Sequence, residues 1–340
     1  MAVAATGFFD GVHLGHRAVT ETLLRTARER GEQSLVVTFW PHPRVVLGKD
    51  PRELRLLSSL DEKIALLRSL GADRVEVVPF TREFASMSAR EYLEMLRRDY
   101  EVTAIVLGYD NRFGSDALST EQIAALANEM GVQVQIVSQC TAVLQKGEDS
   151  PQENCATLGT IRGGTVSEAN GGVERSETFC RGGSSSETIS STKIRKALAA
   201  GKVDAANAML GYEYSLGGVV VGGNRMGRTI GFPTANMKLR EPLKCLPAAG
   251  VYLSRVTVEG RQLRGMTNID PAGKIETHIF DFSDEIYGQD ITVTFVERIR
   301  DEIRFGSFDA LKAQLLRDRE VALGKLAQKC LNFPKSQKIR

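Results

Sequence analysis

Apolar and polar positions follow two different rhythms along this 340-residue chain. Over residues 1–137, β-branched runs at 3–6, 34–39, 74–78, 104–107 and 132–137 are apolar almost throughout. That pattern marks strands buried on both faces of a parallel sheet. Between them, apolar residues recur at helical spacing behind three capping boxes, Ser59-x-x-Glu62, Ser88-x-x-Glu91 and Ser119-x-x-Gln122. Repeated strand–helix alternation predicts an α/β layer fold with right-handed crossovers and ligands beyond the carboxyl ends of its strands.

The rhythm breaks after residue 137. Of the 52 positions in 138–189, 8 are Gly and 13 are Ser or Thr, with no apolar period. Such a stretch buries too little surface to offset its ordering entropy and reads as a long flexible insert. Helical spacing returns at 191–200 and 203–210. Short strands then follow at 218–221, 251–258, 262–269, 275–282 and 291–296, with a hairpin turn at Glu259-Gly260. Strands in that number without intervening helices predict a small antiparallel barrel, closed by a helix over 307–323. The expected domains are therefore 1–210, carrying the insert, 211–326, and a basic tail over 327–340.

Charge narrows the partners. Lys and Arg number 44 against 42 Asp and Glu, a net charge of +2, too balanced for a protein that grips a nucleic-acid backbone. No apolar run approaches the roughly 20 residues of a membrane helix. The start, M-A-V-A-A-T-G-F-F-D-G, has neither the basic nor the apolar region of a secretory signal. Five cysteines, an odd number without a C-x-x-C pair, read as reduced thiols of a cytoplasmic protein. Oligomeric state is open.

Directly after the first strand, residues 7–16 read G-F-F-D-G-V-H-L-G-H. Gly lets a phosphate approach the backbone, and a helix start offers free N–H groups with partial positive charge. His13 and His16, there, are suited to donating hydrogen bonds to a phosphate whose charge grows in a transition state. This run resembles the H-x-G-H nucleotidylyltransferases, and more narrowly the adenylyl-transferring module of bacterial bifunctional riboflavin kinase/FMN adenylyltransferases. The resemblance implies a Rossmann-like sheet, His13 and His16 as catalytic groups, and Gly7, Phe9 and Gly15 in the ATP site. A second element, I-S-S-T-K-I-R over 189–195, is similar to that family's phosphate motif and adds Ser191, Thr192 and Arg195 to the same site. A third, G-Y-D-N-R-F-G over 108–114, resembles the flavin-side loop and implies that Asp110 lies near FMN. Asn111 stands where the family has an aromatic. His42, in F-W-P-H-P, falls in another family loop, and reads equally as a structural residue.

The second half carries G-G-N-R-M-G-R-T-I-G-F-P-T-A-N over 222–236, which resembles the riboflavin kinase signature, and no Walker loop. By that resemblance Gly223, Gly227, Arg228 and Gly231 belong to the ATP site, while Thr234 and Asn236 bind both ATP and Mg²⁺ through hard oxygen donors. Glu276, in I-E-T-H, matches the general base for the riboflavin 5′-hydroxyl. Tyr287 and Arg298 fall at positions that line the flavin pocket. The segment 270–274 is shorter than the family's loop, and the 138–189 insert is longer than its connector.

The resemblance implies two steps in one chain: riboflavin to FMN in the barrel, then FMN to FAD in the α/β domain. ATP is the cosubstrate of both, with FMN as intermediate and FAD as product. Two alternatives stand beside it: an enzyme keeping only one activity, or a flavin-binding regulator without catalysis.

Overall fold

The computed structural model describes residues 1–48, 54–143, 186–224 and 226–331. The chain enters its sheet at once, because β1 (Ala2–Thr6) is buried along its whole length. There follow α1 (Leu14–Arg30), β2 (Gln33–Trp40), α2 (Pro43–Val46), α3 (Leu60–Ser69), β3 (Arg74–Pro79), α4 (Arg82–Ser86), α5 (Ala89–Tyr100), β4 (Val102–Gly108), α6 (Thr120–Glu129) and β5 (Gln133–Val137). All three expected capping boxes form, at the starts of α3, α5 and α6.

The five strands pair in parallel in the order β3-β2-β1-β4-β5. Alternate residues serve opposite faces. Ala2, Ala4, Leu35, Val37, Ile105 and Leu107 pack with Leu93 and Leu96 of α5. Val3, Ala5, Val36, Ala104 and Val106 pack with Val19, Leu23 and Ala27 of α1. The strand order reverses between β1 and β4, so the crevice for a ligand opens where the residues after Thr6 and after Gly108 leave the sheet.

Two three-residue strands, β6 (Thr141–Val143) and β7 (Ser186–Thr188), pair antiparallel at the two ends of the polar stretch. Residues 144–185, most of the expected flexible insert, lie outside the described residues, as does the tail from 332.

The remaining elements are α7 (Ser191–Ala199), α8 (Val203–Leu210), β8 (Ser215–Val221), α9 (Met226–Thr229), β9 (Ala235–Leu239), β10 (Gly250–Val258), β11 (Arg261–Ile269), β12 (Ile275–Ile279), β13 (Asp290–Arg300) and α10 (Phe308–Leu331). Six strands close a barrel in the order β10-β11-β12-β9-β8-β13. β9 has no counterpart among the strands expected from the sequence, since its five residues, A-N-M-K-L, continue the P-T-A-N string. The described residues pack as two units, 1–143 with 186–191, and 192–331. Within the second, the Ala248 N–H donates to the Leu198 carbonyl at 2.9 Å and the Asn207 amide to the Phe295 carbonyl at 3.0 Å. Inside the barrel, Ser254, Thr267 and Thr277 hydroxyls satisfy one another at 2.8 and 3.0 Å, so no buried hydroxyl of the three is orphaned. Arg300 of β13 pairs with Asp318 of α10 at 2.8 Å, holding the helix against the barrel.

Candidate active sites

In the α/β unit the chain turns sharply after β1. Phe9 (φ 52°), Gly11 (φ 77°) and Val12 (φ 38°) are all left-handed, which for the two non-glycine residues costs about 1–3 kcal/mol each. The buried Asp10 offsets this: its Oδ1 accepts from the Leu57 and Ser58 N–H groups at 2.9 and 3.1 Å. The Gly11 N–H donates to Ser58 Oγ at 3.0 Å. A β-branched residue in that backbone region marks a turn imposed by its surroundings.

The turn delivers the histidines. His13 is the N-cap of α1, its Nδ1 accepting from the His16 N–H at 3.3 Å. The His13 and His16 rings stack at 3.7 Å between centroids, 12° from parallel. Gly15 permits this, because a Cβ there would stand 3.1 Å from the His13 ring. Phe9, buried in the core, meets the edge of His16 at 5.2 Å. Burial, then the His13 charge, then that of Lys63 push the His16 pKa well below the ordinary 6.5. His16 is therefore neutral at pH 7, with its Nδ1 buried and unpartnered.

Two more segments reach this crevice. Ser191 Oγ, at the start of α7, donates to the Asp10 carbonyl at 3.1 Å; Thr192 and Arg195 follow on that helix. From β4, Asp110 stands exposed in a turn while the Asn111 amide donates to the Thr6 carbonyl at 3.0 Å. Asn111, placed where an aromatic was expected, thus ties the loop after β4 to the end of β1. His42 caps α2 and packs its ring edge-on to Phe8 at 4.3 Å.

In the barrel the P-T-A-N string crosses into β9. Asn236 pairs with Glu276 of β12, and Glu276 in turn with Asn268 of β11. These residues thus stand abreast on three neighbouring strands. Asn236 is 8% exposed and its Oδ1 has no partner. A buried amide oxygen left open costs about 1–3 kcal/mol unless a ligand fills it. A Cβ at Gly223 would collide with that same amide, and one at Gly227 with the Phe232 carbonyl. Both positions therefore need glycine. Gly231 takes a left-handed φ of 82° to turn the chain into Phe232. Lys274 donates to Glu276 Oε1 at 2.5 Å, the short 270–274 turn being closed by Asp270 Oδ1 on two backbone N–H groups.

A cavity of about 330 Å³ is lined among others by Arg228, Thr234, Thr277, Glu285 and Tyr287, but by neither Asn236 nor Glu276. Arg228 reaches Glu285 at 3.0 Å across exposed surface, a pair worth roughly 0–1 kcal/mol. Arg298 does not line this cavity. Its guanidinium donates to the Ala249 carbonyl at 2.5 Å, pairs with Asp301 and lies over Tyr252.

Sequence reasoning did not assign His278 a role. Its Nδ1 lies 2.9 Å from the Pro233 carbonyl, which only accepts, so the ring donates and holds the residue before Thr234. Burial lowers the His278 pKa, against the raising effect of that bond, and keeps it neutral. Lys63 also escaped notice, as did Asp10 and Ser58.

The two frameworks are those of an adenylyl-transferring α/β module and a flavokinase barrel. A family model described as FAD synthetase matches residues 1–148, and one described as riboflavin kinase matches 210–326. Bifunctional riboflavin kinase/FMN adenylyltransferase from Listeria monocytogenes is 32% identical over 326 residues, covering 94% of this chain and 90% of that protein. The Escherichia coli K12 protein of the same name is 34% identical over 329 residues, covering 94% and 91%. This chain belongs to the bifunctional riboflavin kinase/FMN adenylyltransferase family. A crystal structure described as a macrolide-efflux protein from Streptococcus pneumoniae shares the fold, with TM-score 0.75, 30% identity, and 94% and 93% of the two chains covered. Among the described residues of this chain, no helix is long and apolar enough to cross a membrane.

Proposed function

We propose that this chain phosphorylates riboflavin to FMN in its barrel and adenylylates FMN to FAD in its α/β unit, with ATP as cosubstrate of both steps. One observation carries the reading. Asn236, with its open amide oxygen, and Glu276 are paired on adjacent strands, and their near neighbours in sequence Thr234 and Thr277 line a cavity together with Arg228.

In the kinase step Glu276 takes the proton from the riboflavin 5′-hydroxyl as its oxygen bonds to the γ-phosphorus and ADP departs. Thr234 and Asn236 offer a hydroxyl and an amide oxygen, the donor set a Mg²⁺ ion prefers. Bound there, the ion would neutralise phosphate charge. Arg228 exchanges Glu285 for a phosphate oxygen, and Gly223 and Gly227 let the nucleotide approach the backbone. Tyr287 lies against the flavin; Arg298 orders the strand behind it.

In the adenylyl step an FMN phosphate oxygen bonds to the ATP α-phosphorus and pyrophosphate leaves. No covalent enzyme intermediate forms, so the chain contributes position and charge stabilisation. His13 and His16 donate N–H groups to the α-phosphate; Gly7, Phe9 and Gly15 shape its cradle; Ser191, Thr192 and Arg195 hold the remaining phosphates. Asp110 faces the flavin. Consumption of ATP and the free thiols of Cys140 and Cys245 support a cytoplasmic location.

The test is to incubate the purified chain with riboflavin, ATP and MgCl₂ and separate the flavins by chromatography. Both FMN and FAD are expected. FMN alone identifies a lone kinase, FAD only from added FMN a lone adenylyltransferase, and neither product a binding protein without catalysis.

A further inference from the structure

Lys63 is 1% exposed, yet it projects from the face of α3 that also carries the buried Leu67. Its Nζ donates to the Phe8 carbonyl at 3.0 Å and the Phe39 carbonyl at 3.4 Å. It also lies 4.0 Å from the Phe8 ring centre and 5.9 Å from that of Trp40. The two carbonyls belong to the carboxyl ends of neighbouring strands, where β1 hands the chain to the strained turn and β2 ends. Hydrogen-bond accounting does not require a lysine here. The Phe8 carbonyl already accepts from Thr38 Oγ1 at 3.1 Å, and a neutral apolar side chain would fill the helix face without the cost of burying an ammonium.

We propose that Lys63 is a positioning residue for adenylyl transfer, its ammonium pinning the Phe8 and Phe39 carbonyls so that the Gly7–His13 turn presents the stacked His13 and His16 rings to the α-phosphate. The proposal rests on the adenylyl-transfer reading of this site. Around Phe8 the turn is held by the Gly7 N–H on the Val37 carbonyl at 3.1 Å, by bonds from 57–58 to Asp10 and Gly11, and by the His16 N–H on His13 Nδ1. Phe8 lies between, and Lys63 and Thr38 fix it. The lysine charge also acts on His16, in the same direction as burial and the His13 charge. Among the described residues, Asp10, whose charge offsets part of the lysine's desolvation, and His42, packed edge-on to Phe8, also stand beside the turn.

The test uses Lys63→Met and Thr38→Val in the full chain, with FAD formation from FMN, FMN formation from riboflavin, and the His16 titration followed by NMR. In Lys63→Met, kcat for FAD formation should fall roughly 10²-fold, as misplacement of catalytic groups by about 1 Å does. KM for ATP should stay within a few-fold by the same reasoning. FMN formation should be unchanged and the His16 titration should move to higher pH. Thr38→Val should lower the same kcat by less and leave the His16 titration where it was. An unaltered kcat in Lys63→Met overturns the proposal. So does a rise in KM alone, which would make Lys63 a nucleotide ligand, or a parallel loss of both activities, which would confine it to folding. Absence of FAD from the unmodified chain would instead refute the activity assignment; the His16 titration in Lys63→Met then still decides whether Lys63 acts on the histidine pair.

Discussion

The imidazoles of His13 and His16 lie face to face, 3.7 Å between centroids, and only one proton beyond neutrality fits such a pair without strong repulsion. A second positive charge, that of Lys63, stands nearby. His16 therefore stands as a neutral ring at pH 7.

The folded form of His16 refuses a proton that the unfolded chain accepts below about pH 6.5. The unfolded state then binds more protons, so stability falls as pH drops from 6.5 toward the depressed folded value. Urea unfolding monitored through Trp40, the chain's single tryptophan, should show the α/β unit less stable at pH 5.5 than at 7.5. In His16→Asn that difference should shrink.

Lys63 adds a second rise on the alkaline side. Burial lowers its pKa from 10.5 to about 8, partly opposed by Asp10. Between pH 8 and 10.5 the unfolded chain holds the proton and the folded chain does not, so this group makes stability rise with pH across that window. The rise is at most about 3 kcal/mol. Lys63→Met should lack it, measured by the same fluorescence.

Gly223→Ala places a methyl group against the Asn236 amide. FMN formation should fall roughly 10²-fold, the cost of a 1 Å displacement at a reacting centre. FAD formation from supplied FMN should hold, as chromatography of the two reactions will show.

Asp318 is 2% exposed and its partner Arg300 15%. Asp318→Ala leaves a guanidinium without its counter-ion and should destabilise the barrel by about 3–5 kcal/mol. Hydrogen exchange of β10 and β13 amides should accelerate accordingly, while β1 and β4 amides remain protected.

The central strands β1, β2 and β4 were legible because they are buried on both faces and so nearly all apolar, the edge strands β3 and β5 through their β-branched residues, and the capping boxes because their bonds are local. β9 was hidden inside the phosphate string: Ala235 and Asn236 read as chemistry, not as strand. The helices at 191–199 and 203–210 carry amphipathic faces, but no periodicity says which unit covers them. Asn207 and Leu198 settle that by bonding to Phe295 and Ala248. Lys63 left one trace, a charge at the i−4 position from Leu67 on an apolar face. Its carbonyl partners, 55 and 24 residues away, exist only once the sheet has formed. The hold of Ser58 on Gly11, across 47 residues, was hidden in the same way.

The central claim is that two separate sites in one chain catalyse consecutive steps. The most direct measurement compares Glu276→Gln and His16→Ala in paired assays, riboflavin to FMN and FMN to FAD. The account predicts that Glu276→Gln stops the first and spares the second, and that His16→Ala does the reverse. Equal damage to both reactions by either substitution would contradict it.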